Sequence, residues 1–169
     1  MIGLDTNVVV RYIMQDDPRQ SALATRLVES LTAATPGYVP LVSVTELSWV
    51  LLSAYGLERS QLVAALEGLL RTKEIVVEQA ETVWKALRVF QSGSADFADC
   101  LIERSSAAAG CKWTMTFDRG AVKGCGMRLV RNQMRRGVGV RPIPLPSSPP
   151  VLQADRRRVR AKPAVQPGS

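Results

Sequence analysis

The sequence predicts an α/β sandwich with a mainly parallel central sheet. Short apolar runs rich in β-branched residues alternate along the chain with longer segments whose apolar residues recur every three or four positions. The chain has 169 residues, 46% hydrophobic and 22% charged, which is enough for one domain with its own core. In such a fold the strands pair in parallel, and ligands bind at their carboxyl ends.

The first elements are predicted from local signals at their starts. The apolar run at residues 1–4 is expected to form a strand, followed by a helix that Thr6 or Asn7 caps. Asp17 and Pro18 have the residue types that open a helix, so a second helix is expected from there.

The later elements follow the same alternation of strands and helices. Ser43 and Glu46 have the spacing of a capping box, which predicts the start of a third helix. The other predicted elements are strands at residues 38–40, 75–77, 113–115 and 127–130, helices at 60–70, 80–90 and 96–109, and a turn or short helix from Asp118. The three tryptophans lie in apolar segments and are expected in the core: Trp49, Trp84 and Trp113.

The net charge of +7 is concentrated at the carboxyl terminus. Residues 131–169 carry nine basic and one acidic side chain, whereas residues 1–130 carry 13 basic and 14 acidic ones. The same tail holds seven of the ten prolines and few large apolar residues, so it is expected to be disordered beyond about residue 140. The sequence therefore predicts a domain at 1–130 and a basic tail at 131–169, which either contacts nucleic-acid phosphates or is only solvated.

The absence of histidine excludes several classes of catalytic site. Without imidazole the chain has no Ser-His-Asp or Cys-His site and no histidine-ligated zinc. The three cysteines, Cys100, Cys111 and Cys125, are too few for a four-sulfur metal site and odd in number, which favours a reducing cytoplasm. No signal peptide or membrane span is recognised in the sequence, so a cytoplasmic protein is expected.

Acidic residues mark the places where a site would form in this architecture. Asp5 and Asp118 follow predicted strands, while Glu46, Asp96 and Asp99 lie at predicted helix starts. Carboxylates that converge without a cation repel one another, and oxygen ligands select Mg²⁺ or Mn²⁺. A divalent-metal phosphodiesterase site is one interpretation of these acids. The other is helix capping, because Asp and Glu are favoured at helix N-termini for that purpose alone.

Four segments resemble PIN-domain ribonucleases, and most closely the VapC toxins of type II toxin–antitoxin pairs. They are GLDTNVVVRYIMQDDP, VSVTELSWVL, GSADFADCLIERSSAAAGC and TFDRGA, in the order and spacing of that family over residues 1–130. The resemblance implies a PIN-like α/β/α sandwich that cleaves RNA with Mg²⁺ or Mn²⁺, commonly forms a homodimer and is silenced by a cognate antitoxin.

The resemblance also assigns roles to individual residues. The four acids of the family fall on Asp5, Glu46, Asp99 and Asp118, with Asp5 and Asp99 as principal metal ligands and Glu46 and Asp118 completing the cluster. Asp118 is included among the expected ligands, and Asp96 and Thr116 are accessory candidates. Thr6, Asn7 and Thr116 are also candidates to hydrogen-bond the acids.

Two other functions remain open at this point. A phosphate-ester hydrolase with an aspartyl nucleophile at Asp5 would need an acid two residues on, where the chain has Asn7. A binding module without nuclease activity would use the acids as caps and the tail to hold RNA or a protein. The RNA target, the antitoxin, the number of metal ions and the oligomeric state do not follow from the sequence.

Overall fold

The computed structural model describes residues 1–131 and Ile143. The chain divides into two units, Met1–Asn132 and Gln133–Ser169, and every helix and strand described here belongs to the first. The predicted disorder of the tail lies outside the described residues.

The described residues form a mixed α/β fold in which helices and short strands alternate, as predicted. The strands are β1 (Ile2–Gly3), β2 (Gly37–Val39), β3 (Ile75–Val77), β4 (Met115–Thr116) and β5 (Arg128–Leu129). The helices are α1 (Thr6–Met14), α2 (Pro18–Glu29), α3 (Leu41–Ser53), α4 (Arg59–Arg71), α5 (Ala80–Ser92), α6 (Phe97–Ala108) and α7 (Arg119–Cys125).

All strand pairs in the described part of the chain are parallel. One ladder has the order β1-β2-β3, with Ile2 opposite Gly37 and Tyr38 opposite Val76. The second ladder joins β4 to β5, with Met115 opposite Arg128. Within each ladder the parallel strands direct their carboxyl ends to the same edge, and the segments that follow β1 and β4 carry Asp5 and Asp118, one in each ladder.

The start of α3 corrects the predicted capping box. The helix begins at Leu41, so Ser43 and Glu46 both lie inside it and do not cap it. The backbone N–H of Leu41 instead donates to the Glu78 Oε2 atom at 2.7 Å, across 37 residues of sequence. The carboxylate that follows β3 therefore satisfies the amino end of α3, and Glu46 is left available for another contact.

The core consists mainly of aliphatic side chains from β2, β3 and the helices. Val39, Val44, Leu47, Leu51 and Leu62 are fully buried, and Phe90 packs edge-on against Phe97.

The tryptophans do not all join this core, so that prediction was wrong for two of them. Trp49 is 67% exposed and Trp113 47% exposed, whereas Trp84 is half-buried on α5. Apolar spacing identified the helix that carries Trp49, but it did not identify which face of that helix is covered.

No helix in the described part of the chain is both long enough and apolar enough to span a bilayer.

Candidate active site

Asp5 lies between β1 and α1 with its carboxylate uncommitted to the helix. It is the N-cap residue of α1, a position predicted for Thr6 or Asn7, yet its side chain accepts no capping hydrogen bond. Its Oδ2 atom instead accepts from the Asn7 Nδ2 atom at 3.2 Å. Capping therefore does not account for the exposed carboxylate of Asp5.

Glu46 is held by a buried hydroxyl. The Thr6 side chain is buried, and its Oγ1 atom donates to the Glu46 Oε2 atom at 2.5 Å. This bond joins the first turn of α1 to the middle of α3 and so brings Glu46 beside the residue that follows Asp5. Glu46 lies too far inside α3 to cap it, so capping is wrong for this residue as well.

A second group of carboxylates forms where α6 meets α7. Asp96 is the N-cap of α6 but accepts no capping bond, and Asp99 lies in the first turn of the same helix. Burial of Asp99 raises the pKa of its carboxyl, and the nearby negative charges of Asp96 and Asp118 raise it further. No cation contributes to this shift, so the three acids repel one another.

Asp118 does cap its helix, as the alternative interpretation expected. Its Oδ1 atom accepts from the Gly120 N–H of α7 at 2.6 Å. The backbone N–H of Asp118 donates to the Thr116 Oγ1 atom at 2.9 Å, so Thr116 holds the main chain of Asp118 and not its carboxylate. These two bonds fix the tight turn that presents Asp118, and its second oxygen, Oδ2, receives neither bond.

The loop that leads to Asp96 is clamped by an arginine that the sequence did not single out. Arg59 donates from Nη1 to the Ala95 carbonyl at 3.1 Å and from Nη2 to the Gly93 carbonyl at 3.0 Å. The same guanidinium hydrogen-bonds the Phe90 carbonyl and lies 3.7 Å from the centroid of the Phe90 ring. Arg59 thus satisfies carbonyls at the end of α5 and holds the segment before α6.

Two glycines let that loop lie directly against α7. A Cβ atom at Gly124 would lie 2.4 Å from the Ala95 nitrogen, and one at Gly93 would lie 2.6 Å from the Gly124 carbonyl oxygen. Side chains larger than hydrogen would therefore separate α7 from the loop. This close contact, together with the Arg59 clamp, places Asp96 and Asp99 within the electrostatic reach of Asp118.

Within residues 1–131 the five candidate acids form two groups, with Asp5 and Glu46 in one and Asp96, Asp99 and Asp118 in the other. Helix α3 packs against both α1 and α6, so it lies between the helices that carry the two groups. No hydrogen bond or ion pair in this part of the chain joins the two groups, and no Lys or Arg pairs with any of the five acids.

The donor set fits a hard divalent cation in its chemistry. The principal candidate ligands are carboxylate oxygens, and within residues 1–131 no Lys or Arg side chain pairs with those around Asp99. In the described part of the chain no three His, Cys, Asp or Glu side chains approach closely enough to enclose an ion. Such an enclosure is not required by Mg²⁺, which usually keeps several waters and binds through one or two carboxylates.

The comparisons with known proteins identify the family. No curated protein has a sequence similar enough to this chain to count as a relative. The family model described as the PIN domain matches residues 2–124, which spans every candidate acid from Asp5 to Asp118. PIN domains are generally nucleases that use divalent metals. With its alternating α/β fold and its acids after β1 and β4, the chain belongs to the PIN domain family.

Proposed function

We propose that this protein is an endoribonuclease dependent on Mg²⁺ or Mn²⁺ and that it acts as the toxin of a type II toxin–antitoxin pair. Its membership of the PIN domain family supports the nuclease activity. The resemblance of residues 1–130 to VapC toxins supports the toxin role, the choice of RNA as substrate, a homodimer and inhibition by a cognate antitoxin.

One observation carries the metal dependence. Asp99 is partly buried beside Asp96 and Asp118, its pKa is raised by burial and by their charges, and no side-chain cation offsets the repulsion. A group of like charges of this kind costs stability unless it is used. A bound divalent cation would reverse the sign of the local field and make the same arrangement favourable.

The four candidate acids would have different roles in metal binding and proton transfer. Asp5 and Asp99 would bind the cation, and Asp118 would complete the cluster with its uncommitted oxygen, Oδ2. Glu46, oriented by the Thr6 hydroxyl, would accept a proton from the attacking water or hydrogen-bond it. When bound, a divalent ion supplies an electrophile for phosphoryl oxygens and lowers the pKa of water. The ion therefore makes a histidine general base unnecessary.

Asn7 and Thr116 would act as positioning residues in this scheme. Asn7 donates to Asp5, and Thr116 fixes the main chain of Asp118. Metal ligands are commonly oriented by such neighbours, and their loss typically lowers metal affinity or activity by about 10–100-fold. Asp96 would remain an accessory acid that strengthens the local field.

The test is cleavage of a mixed pool of structured RNAs by the wild type and by Asp99→Asn, each with Mg²⁺ and with EDTA. We expect metal-dependent cleavage by the wild type and a loss of more than about 100-fold in the variant, since a ligand should matter at least as much as its neighbours. Glu67→Gln is the matched control, because Glu67 is an acid on α4 that pairs with Arg71, and it should cleave normally.

Thermal unfolding of the same three proteins separates the nuclease from the binding module. Wild type should gain stability with Mg²⁺ in proportion to its occupancy, and Asp99→Asn should gain little. In EDTA the variant should be as stable as wild type or more stable, because it removes repulsion. Intact RNA in every reaction, together with no stabilisation by Mg²⁺, would overturn the nuclease and favour a module that only binds RNA or protein.

A further inference from the structure

The β4–β5 pair exposes an aromatic face next to the second group of acids. Trp113, Met115 and Phe117 are exposed, whereas Thr114 and Thr116 between them are half-buried, so exposed and half-buried side chains alternate along β4 and the residues on either side of it. Phe117 is 82% exposed and immediately precedes Asp118. Strands in α/β proteins normally have both faces covered, so an open aromatic face of this kind indicates a binding surface.

Arg128 adds a cation to the same face. It lies opposite Met115 in the β4–β5 register, and its guanidinium lies over the ring of Trp113. The Lys112 Nζ atom lies 5.6 Å from the centroid of the same Trp113 ring. Aromatic rings thus lie together with cations that pair with no carboxylate within residues 1–131, a combination that single-strand nucleic-acid binders use to stack bases and attract phosphates.

The ring of Phe117 is attached to a fixed segment of main chain. The Val130 N–H donates to the Thr116 carbonyl at 2.9 Å, and the Asp118 N–H donates to the Thr116 hydroxyl at the same distance. The main chain of Phe117, between Thr116 and Asp118, is therefore held at both ends, and the residue has little freedom to withdraw into the core. A platform held in this way would lose little conformational entropy when a base stacks on it.

The charge of this region is opposite to that of the rest of the described domain. Residues 111–131 carry five basic side chains and one acidic one, Asp118, whereas residues 1–110 carry nine basic and 13 acidic ones. In the same region, Arg119, Lys123 and Arg131 line a depression of about 310 Å³ together with Val122 of α7 and Leu129 of β5. A polyanion is the complementary occupant.

The same charge disfavours a second copy of this region as the occupant. A second copy would bring the net charge of +4 of residues 111–131 against the same net charge. A nucleic acid supplies both the negative charge and the flat apolar surfaces that the rings can stack on.

A second aromatic and basic surface in the domain provides an internal comparison. Trp84 on α5 lines a depression with Arg71, Lys85, Arg88 and Glu81. There, however, Arg71 pairs with Glu67 at 3.0 Å and Lys85 pairs with Glu81 at 2.7 Å. Within residues 1–131 no carboxylate pairs with Arg119, Lys123 or Arg128. The charges of the Trp84 surface are largely neutralised, while those near Phe117 are available.

We propose that the exposed β4–β5 face, with Phe117 as the stacking ring and Arg128, held against Trp113, as a phosphate contact, binds an unpaired stretch of the RNA substrate beside the acidic site. This inference rests on the proposed nuclease function. It adds that the substrate is single-stranded next to the scissile phosphate, because stacking on Phe117 requires a base with a free face.

The test measures binding of a fluorescein-labelled single-stranded RNA 12-mer of mixed sequence to the full chain in EDTA by fluorescence anisotropy. We expect Phe117→Ala to weaken binding by about 5- to 150-fold, the range for loss of one base stack, and Phe117→Trp to restore it. Arg128→Gln should lower the salt dependence of binding by about one phosphate contact. Trp84→Ala and Arg88→Gln are the matched controls and should change neither quantity.

The outcomes distinguish this surface from the nuclease function. Equal affinities for wild type and Phe117→Ala, equal weakening by Trp84→Ala, or a changed oligomeric state in Phe117→Ala with unchanged RNA affinity would each overturn the proposal. Equal competition by a duplex of the same sequence would also overturn it. Binding that depends on Phe117 without any cleavage in Mg²⁺ would support the surface and overturn the nuclease. Because every variant carries the same residues 132–169, the tail contributes equally to each measurement.

Discussion

The two groups of candidate acids differ in what surrounds their carboxylates. Asp5 and Glu46 each accept a hydrogen bond from a neutral neighbour, Asn7 and Thr6 respectively. Asp99 faces the charges of Asp96 and Asp118, and its pKa is raised by burial and by that repulsion. The first group is organised by hydrogen bonds in the absence of metal, whereas the second stores unfavourable electrostatic energy.

This difference shows two ways in which the chain positions the candidate acids. The Thr6 and Asn7 bonds keep one side of the site in place at little cost, since neutral donors favour a charged carboxylate. The opposing side is positioned by packing, through Arg59, Gly93 and Gly124. Disturbing the packing and disturbing the hydrogen bonds should therefore have different consequences.

The largest effect on stability is expected from Gly124→Ala, which breaks the packing that positions the second group. The added Cβ would approach the Ala95 nitrogen to 2.4 Å and the Ala95 Cβ to 2.6 Å, so α7 must shift. We expect a loss of about 1–3 kcal/mol in the free energy of unfolding, the usual cost of overpacking, measured by urea denaturation. Cleavage should fall as well, because Asp118 moves with α7.

Gly68→Ala is the matched control for that substitution. Gly68 lies inside α4, and a Cβ there would have no neighbour within 4 Å. Alanine should therefore stabilise the protein by about 0.5–1 kcal/mol through its helix preference and leave cleavage unchanged. A Gly124→Ala protein with wild-type stability and activity would show that the close contact with Ala95 does not position the second group.

Thr6→Val should have a smaller effect, and it acts on the first group. Valine keeps the shape but removes the hydroxyl that donates to Glu46, which is worth about 1 kcal/mol in a typical hydrogen bond. We expect cleavage to fall about 10-fold while Mg²⁺-induced stabilisation persists, because Glu46 is not a principal ligand. Thr6→Ser restores the donor and should recover activity; failure to recover it would assign the loss to packing of the buried threonine.

The smallest effect is expected in the pH dependence of unfolding in EDTA. Because the pKa of Asp99 is raised above its ordinary 3.8, the stability of the wild type is greatest with that carboxyl protonated and falls as the pH rises through the folded pKa. Asp99→Asn does not titrate, so its advantage over wild type should grow as the pH rises from below 3.8. Thermal unfolding at a series of pH values measures the difference.

Asp16→Asn should show the opposite pH dependence of stability, relative to wild type, in the same experiment. Hydrogen bonds from Arg11 and Tyr55 hold the pKa of Asp16 below its ordinary 3.8, so its contribution is present above that pH and is lost as the pH falls through the folded pKa. Asp16→Asn should therefore be less stable than wild type near neutral pH and should approach it in acid. If the stability relative to wild type changed with pH in the same direction in Asp16→Asn and Asp99→Asn, the opposite pKa shifts of Asp16 and Asp99 would be contradicted.

Elements with a local sequence signal were predicted well. The strand β3 has the predicted bounds, Ile75–Val77, and α2 begins at Pro18 with Asp17 accepting from the Arg19 and Gln20 N–H groups. A proline at the first helical position after an aspartate is a signal contained in adjacent residues. The four candidate acids come from local patterns and resemblance, and their roles stay predictions.

Features that depend on distant contacts were not predicted. The cap of α3 comes from Glu78, and the clamp on the loop before α6 comes from Arg59. Neither residue is near its target in sequence, and a surface arginine has no local pattern that marks a clamp. The exposure of Trp49 and Trp113 was missed for the same reason, since a sequence does not state which faces other elements cover.

The close contact between Gly124 and Ala95 has a consequence for how the protein is made. During synthesis Asp5, Glu46 and Asp99 emerge before Asp118, and α7 completes the described helices only at Cys125. A nascent chain that ends before α7 contains three of the four candidate acids but lacks the helix against which the loop at Gly93 packs. If the proposed toxin cleaves RNA through all four acids, a nascent chain without α7 does not yet cleave the RNA of the cell that translates it.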